Sequence, residues 1–296
     1  MPSSAEMGRC YDIFTNLTNV LLKDNSISIS GENTMSDTIT ELTNWSKEVA
    51  IDPDQFSCRN FASCAASVHG NLGPGTSAMM SYVGPQYDAG ELANSFSLAI
   101  VGMDHGDVDS GSYTERTNDI ISFYRVGGAP FNPHYAGVIR TAAAILGRTA
   151  KRCEAECVTR CNGASDDQQP CVLERIFQPN VAKCVPTHAL NRTSVVSQMM
   201  RENCAYHLLA ELTIARPNLI VLHGAAVHSA FLMAVKATSQ DVQISKFGNV
   251  QIVAADCLPG PALLLHHPSR GWLDRQWQSS VLPALELLRS QGHIPA

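Results

Sequence analysis

No run in this 296-residue chain is apolar for long enough to cross a bilayer. The most apolar stretch, residues 219–235, is broken by His223, Gly224, His228 and Ser229. It reads as a short buried strand, LIVLHG, followed by a helix over residues 225–237. Charge is also scarce, at 16% of residues against 45% apolar. That balance excludes a disordered or low-complexity chain and leaves enough apolar side chains for a sizeable core. Residues 1–10 lack a basic head followed by an apolar segment, so no signal peptide is read there and the expected location is the cytoplasm. What the chain does have is ten cysteines. Without export, clustered cysteines point to metal or cluster ligands rather than disulfides.

An excess of positive charge is missing too, since the net charge is −6. That argues against a wholly basic nucleic-acid binder, but the sum hides an asymmetry. Residues 1–110 hold 4 basic and 14 acidic groups, and the remainder holds 17 and 13. A local basic face on the second part is enough for phosphate contacts.

Residues 1–50 are polar, with amphipathic helices expected near 10–23 and 36–49, and are read as an N-terminal extension. Residues 51–296 are read as one α/β domain carrying a cysteine-rich insertion at 152–171. Within it, residues 65–90 look loop-like, with Gly70, Gly73, Pro74, Gly75, Gly84 and Pro85 among them. Apolar strands are expected over 96–102, 176–181, 219–224, 250–255 and 262–267. Helices are expected over 135–146, 195–215, 225–237 and 271–290, with Pro217 as a stop. Continuously apolar strands alternating with helices indicate a mainly parallel sheet covered on both faces, a three-layer α/β/α arrangement. In such sheets the ligand crevice lies beyond the carboxyl ends of the strands.

Several polar clusters sit at those ends. In HHPSR, His267 follows the last strand and Pro268 turns the chain out of the sheet, aiming an imidazole at the crevice; Ser269 and Arg270 continue the loop. A single histidine at a strand end is more often solvated or satisfied in the core. In GMDHGD, Asp104, His105 and Asp107 follow a strand in a glycine-containing turn, suited to a carboxylate beside a ligand or to an ordinary Asx-stabilised turn. Phe131 stands in a loop framed by Pro and Gly, where a ring can stack on a flat ligand or simply pack. In FQPNVAKC, the Asn180 amide offers a donor and an acceptor, a match for the edge of uracil, whose N3–H donates and whose O4 accepts.

Taken in order, these motifs resemble the uracil-DNA glycosylase superfamily, in particular its iron–sulfur branch. The likeness rests on residues 102–107, on GAPF at 128–131, on NVAKC at 180–184 with a downstream Cys204, and on His-Pro-Ser at 267–269. It implies a uracil-DNA glycosylase-like α/β fold with a central four-stranded, mainly parallel sheet. It also implies a monomer that flips a base out of DNA and hydrolyses its N-glycosidic bond, leaving an abasic site. Phe131 would stack on the base and Asn180 would read its Watson–Crick edge. His267 would hydrogen-bond its O2 side and stabilise the leaving anion. Ser269 and Arg270 would press into the minor groove. The branch carries Gly-Glu-Ala-Pro-Gly at its first motif, whereas this chain has GMDHG, so Met103 stands where that acid would be. Asp104 matches the acid of the Gly-Gln-Asp-Pro-Tyr-His type and is the candidate for orienting water. His105 and Asp107 are further candidates, and other deaminated bases remain open as substrates.

The resemblance also implies a 4Fe–4S cluster, and Cys58, Cys64, Cys184 and Cys204 match the order of its ligands, although the first pair is more widely spaced than usual in the family. A second set, Cys153, Cys157, Cys161 and Cys171, reads as a zinc site, as substitute cluster ligands, or as thiols of an insertion. Cys10 and Cys257 read as core thiols. Two other functions stay in view. One is a non-catalytic binder of uracil-containing or damaged DNA, disabled by Met103. The other is a metal-bound interaction protein.

Overall fold

The computed structural model describes residues 37–68, 78–88, 96–103, 111–125, 133–146, 172–184, 196–267 and 277–294. The helix expected at 10–23, the insertion at 152–171 with its four cysteines, and Cys10 lie outside the described residues. So do Asp104, His105, Asp107, Phe131, Ser269 and Arg270.

The chain enters through α1 (Asp37–Glu48) and a short α2 (Phe61–Ala66), then β1 (Tyr82–Val83) and β2 (Leu98–Val101). Helices α3 (Tyr113–Arg125) and α4 (Pro133–Ile145) lead to β3 (Ile176–Gln178), and α5 (Gln198–Ala215) leads to β4 (Leu219–His223). Next come α6 (Ala225–Thr238), the hairpin β5 (Val242–Phe247) and β6 (Val250–Ala255), β7 (Ala262–Leu265), and α7 (Leu282–Ser290). The protein is α/β, with one mixed sheet of seven strands in the order β1-β3-β2-β4-β7-β6-β5. This corrects the expected strand count of four. The strands β3, β2, β4 and β7 run parallel. Antiparallel strands flank them, β1 on one side and the β6–β5 hairpin on the other. The segment 250–255, expected as another parallel strand, is instead the second arm of that hairpin. Phe247 pairs with Val250 across a two-residue Gly248–Asn249 turn, and a parallel crossover cannot be made in two residues.

The central strands are buried along their whole length, as their unbroken apolar runs require. On one face Leu98, Ile100, Leu219, Val221, Leu263 and Leu265 share a core with Val138, Ile139 and Ala142 of α4 and with Leu285 and Leu288 of α7. Helix α6 packs on β4 and on α5. The boundaries of α5 follow from chemistry at its ends. Ser197 caps it by accepting from the Met200 N–H at 3.1 Å, and Arg216, left-handed at φ 48°, ends it just before Pro217.

Two elements lie inside or beside stretches read as loop. Helix α3 starts at a reciprocal capping box: the Ser112 hydroxyl accepts from the Glu115 N–H, and the Glu115 carboxylate accepts from the Ser112 N–H and hydroxyl. Those bonds hold the Glu115 carboxyl below its ordinary range. Strand β1 is two residues long, too short to leave a periodic signature. Cys257 is half-buried rather than a core thiol.

Candidate functional site

The four parallel strands place their carboxyl ends side by side in the order β3, β2, β4, β7. The chain leaves β2 for β3 on one side and then crosses to β4 on the other. The strand order therefore reverses between β2 and β4, the position at which open α/β sheets form their ligand crevice. Beyond β3, the chain stays bonded to β2. Gly102 and Asn180 form a parallel bridge, Gly102 N–H donates to the Pro179 carbonyl at 3.0 Å and Val181 N–H to the Gly102 carbonyl at 3.0 Å. Ala182 N–H follows, to the Met103 carbonyl at 2.9 Å. The sheet is thus prolonged by residues without strand assignment, and Asn180, buried, stands directly beside Gly102 and Met103.

Two strands further along, His267 follows β7 and is half-buried. Its ring lies against the turn from β4 to α6. There Gly224 adopts φ +100°, and a Cβ at that position would stand 3.6 Å from the His267 Cδ2. Glycine is needed for the backbone angle, while a Cβ there would make only an ordinary contact with the ring. His228 fixes the same turn from within α6: its Nε2–H donates to the Leu222 carbonyl at 3.1 Å, and burial is the leading cause that lowers its pKa.

The last residue of β4, His223, was not singled out from the sequence as a functional residue. It is 2% exposed and sits at the strand end facing the switch point, with Nε2 3.4 Å from the Thr141 hydroxyl of α4. The Thr141 hydroxyl proton is engaged by the Gly137 carbonyl at 2.9 Å, so the hydroxyl accepts from the His223 Nε2–H. The available signal was its position, a histidine closing a buried strand, the same signal that marked His267.

The cysteines named as a quartet come together. Cys58, Cys64, Cys184 and Cys204 line one small cavity, closed by Phe61, Met200 and His207. All four are free thiols. Cys58 and Cys64 reach it together because Phe61 N–H bonds the Cys58 carbonyl at 2.9 Å, and α2 then turns Cys64 back toward its partner. Cys184 ends the segment that begins at Asn180. On α5, Met200, Asn203, Cys204 and His207 recur at helical spacing along one face. The bond between the Ser67 and Ser197 hydroxyls, 2.6 Å, ties the end of α2 to the cap of α5.

Burial raises the pKa of three of these thiols: Cys58, Cys184 and, to about 11, Cys204. For Cys184 the next cause is the neighbouring thiols, since four thiolates would repel one another. A cation is what lets such a set ionise together. Among the described residues no group of three or more His, Cys, Asp or Glu side chains is arranged to hold a metal ion. A single zinc ion needs its ligands converging on one point, whereas each thiolate of a four-iron cluster bonds its own iron, so the thiolates stand around a cavity. Four sulfurs surround one space with no carboxylate among the lining residues, a donor set of the thiolate kind that iron–sulfur clusters take.

His207 meets Trp45 of α1 edge-on, with ring centroids 5.8 Å apart. Burial is the first cause that pushes its pKa down to about 4, with Lys183 and Arg59 adding repulsion. The folded chain therefore binds fewer protons than the unfolded one between pH 4 and the ordinary histidine value of 6.5. Stability supplied by keeping this ring neutral is complete above that window and is lost as the pH falls through it. Allowing for its partial exposure, the loss is about 2 kcal/mol. Urea midpoints at pH 7 and 4.5 should fall further for the native chain than for His207→Gln.

Between the crevice and the cavity lies a buried polar knot. Lys183 donates to the Glu211 carboxylate and, at 3.2 Å, to the Ser81 hydroxyl. Glu211 also accepts from Ser81 at 2.8 Å and from the Tyr113 hydroxyl at 2.9 Å. Lys183, Glu211, Ser81 and Tyr113 are each no more than 1% exposed. Burial, and then the Glu211 charge, holds the Tyr113 pKa well above its ordinary value. No protein-family model matches this chain, and a search of curated proteins finds no match for it.

Proposed function

We propose that the chain is a DNA glycosylase of the uracil-DNA glycosylase kind, which excises uracil from DNA and leaves an abasic site. The observation that carries this reading is a placement on the sheet. Asn180 and His267, far apart in sequence, stand at the carboxyl ends of β3 and β7, to either side of the switch point. From Asn180, residues 180–184 run directly to a cavity lined by four cysteines.

In this reading the target nucleotide leaves the duplex and its base enters the crevice, stacked on Phe131. The Asn180 amide, held by the Gly102 bridge, donates to O4 and accepts from N3–H. As the C1′–N1 bond breaks, negative charge grows on uracil and positive charge on the sugar. A protonated nitrogen of His267 hydrogen-bonds O2 and stabilises the leaving anion. Asp104 orients the water that adds to C1′, and the products are free uracil and the abasic sugar. Ser269 and Arg270 contact the strand from the minor-groove side. Cys58, Cys64, Cys184 and Cys204 would hold a 4Fe–4S cluster whose part is structural, pinning α2, α5 and the 180–184 segment together.

The test is incubation with a uracil-containing oligonucleotide followed by alkaline cleavage at abasic sites. Strand cleavage with uracil supports the reading, and none with uracil, hypoxanthine or xanthine ends it. A second reading, a non-catalytic binder of uracil-containing or damaged DNA, draws on Met103. This residue follows β2 where the related enzymes carry an acid, and its carbonyl is engaged by Ala182. Tight binding without product would select it.

A further inference from the structure

The lining of the cysteine cavity contains one side chain that its apolar surroundings do not explain. Asn203 stands on α5 between Met200 and His207 and next to Cys204, and its Nδ2–H donates to the Cys64 sulfur at 3.3 Å. A neutral thiol sulfur is a weak acceptor, so an amide directed at one gains little over water. A thiolate, or a thiolate bonded to iron, is a charged acceptor, and such bonds are about twice as strong. The arrangement therefore suits a sulfur bonded to iron.

Other sulfurs of the cavity are treated the same way. The backbone at Asn60 and Phe61 favours the charged form of Cys58, and that at Lys183 favours the charged form of Cys204, each against the larger effect of burial. Those donors belong to the main chain. Cys64 takes its bond from a side chain, so this donor can be removed by substitution while the backbone stays as it is.

We propose that Asn203 is a positioning residue of an iron–sulfur site, donating to the Cys64 sulfur as it bonds iron and so setting how firmly the cluster is retained and where it is reduced. The inference rests on the cluster reading above and deepens it. Hydrogen bonds to ligand sulfurs are among the levers by which a protein sets a cluster's potential. Outer-shell partners of metal ligands are typically worth about 10–100-fold in affinity. Removing a donor withdraws stabilisation from the more negative, reduced cluster most, so the midpoint should move to lower potential.

The experiment uses the full chain, purified without oxygen, as the native protein, Asn203→Leu and Asn203→Ser. Leu is close in size and cannot donate. Ser is smaller, so it cannot overpack the cavity, and its hydroxyl is too short to take the place of the amide. Iron and acid-labile sulfide per chain, the rate at which the visible band bleaches in excess chelator, and the reduction midpoint are measured, with far-UV circular dichroism as the fold control. The expected result is a native fold in both variants, cluster loss about 10–100-fold faster, and a lower midpoint. If Leu perturbs the fold, Ser decides the question alone. Unchanged retention and midpoint in a variant that folds overturn the role of Asn203 and leave the cluster reading intact. A native protein with no iron, sulfide or visible band overturns both.

Discussion

Truncating Asn180 to alanine is expected to slow uracil excision by about 10²–10³-fold while leaving the fold in place, and His267→Ala should do the same. The two effects have different origins. In the proposed reaction Asn180 would act through its amide, whose donor and acceptor face the base edge. Its backbone independently holds the bridge to Gly102, so truncation at Cβ removes recognition without opening the sheet. In the same proposal His267 would supply a hydrogen bond that strengthens as charge develops on the leaving base, so its loss should fall on the single-turnover rate rather than on binding. Its ring rests against Gly224 at the β4–α6 turn and is half-buried, so truncation there leaves a partly exposed gap. Single-turnover excision, with thermal unfolding of each variant alongside, is the measurement. Rates equal to the native protein's in folded variants would refute the assigned roles.

The largest expected effect on stability is at Glu211. Replacing it with leucine leaves the Lys183 ammonium buried without its counter-charge and takes an acceptor from the Ser81 and Tyr113 hydroxyls. Breaking a buried pair in this way typically costs about 3–5 kcal/mol, a large part of a whole domain's stability. In a domain of this size that corresponds to a fall in Tm of roughly 10 °C. The double variant Lys183→Met, Glu211→Leu should recover most of the loss, because apolar replacement of both partners removes the stranded charge. Urea unfolding of the two singles and the double gives the coupling directly. A double variant as unstable as Glu211→Leu would mean that the cost lies in packing or in the hydroxyls, not in the ion pair.

Much of the scaffold was legible along the chain. The strands β2, β4 and β7 are buried on both faces and read as unbroken apolar runs, while α5 carries its own stop in Pro217. Asn180 and His267 were legible because they close such runs. What escaped had physical reasons. Strand β5 is exposed at four of its six positions, so no continuous apolar signal marks it, and its place is set by pairing with β6. Helix α3 is polar, and its start is written only in the Ser112–Glu115 box. The knot at Lys183 was invisible for another reason. Its partners, at Ser81, Tyr113 and Glu211, lie 102, 70 and 28 positions away, a meeting that only tertiary structure makes. The cysteine quartet was legible in its order, and the shared cavity could be read only from the fold.

The stretch from Pro179 to Cys184 has a consequence for how the molecule opens. Although most of it is not strand, the amides of Val181 and Ala182 are bonded to β2's end and the Lys183 carbonyl accepts from Met79 at 3.0 Å. A loop fastened on both sides belongs to the cooperative unit of the sheet rather than to the fraying parts of the surface. The wall that carries Asn180 then loosens only when the centre of the protein does, so its alignment costs no ordering at the moment a ligand arrives.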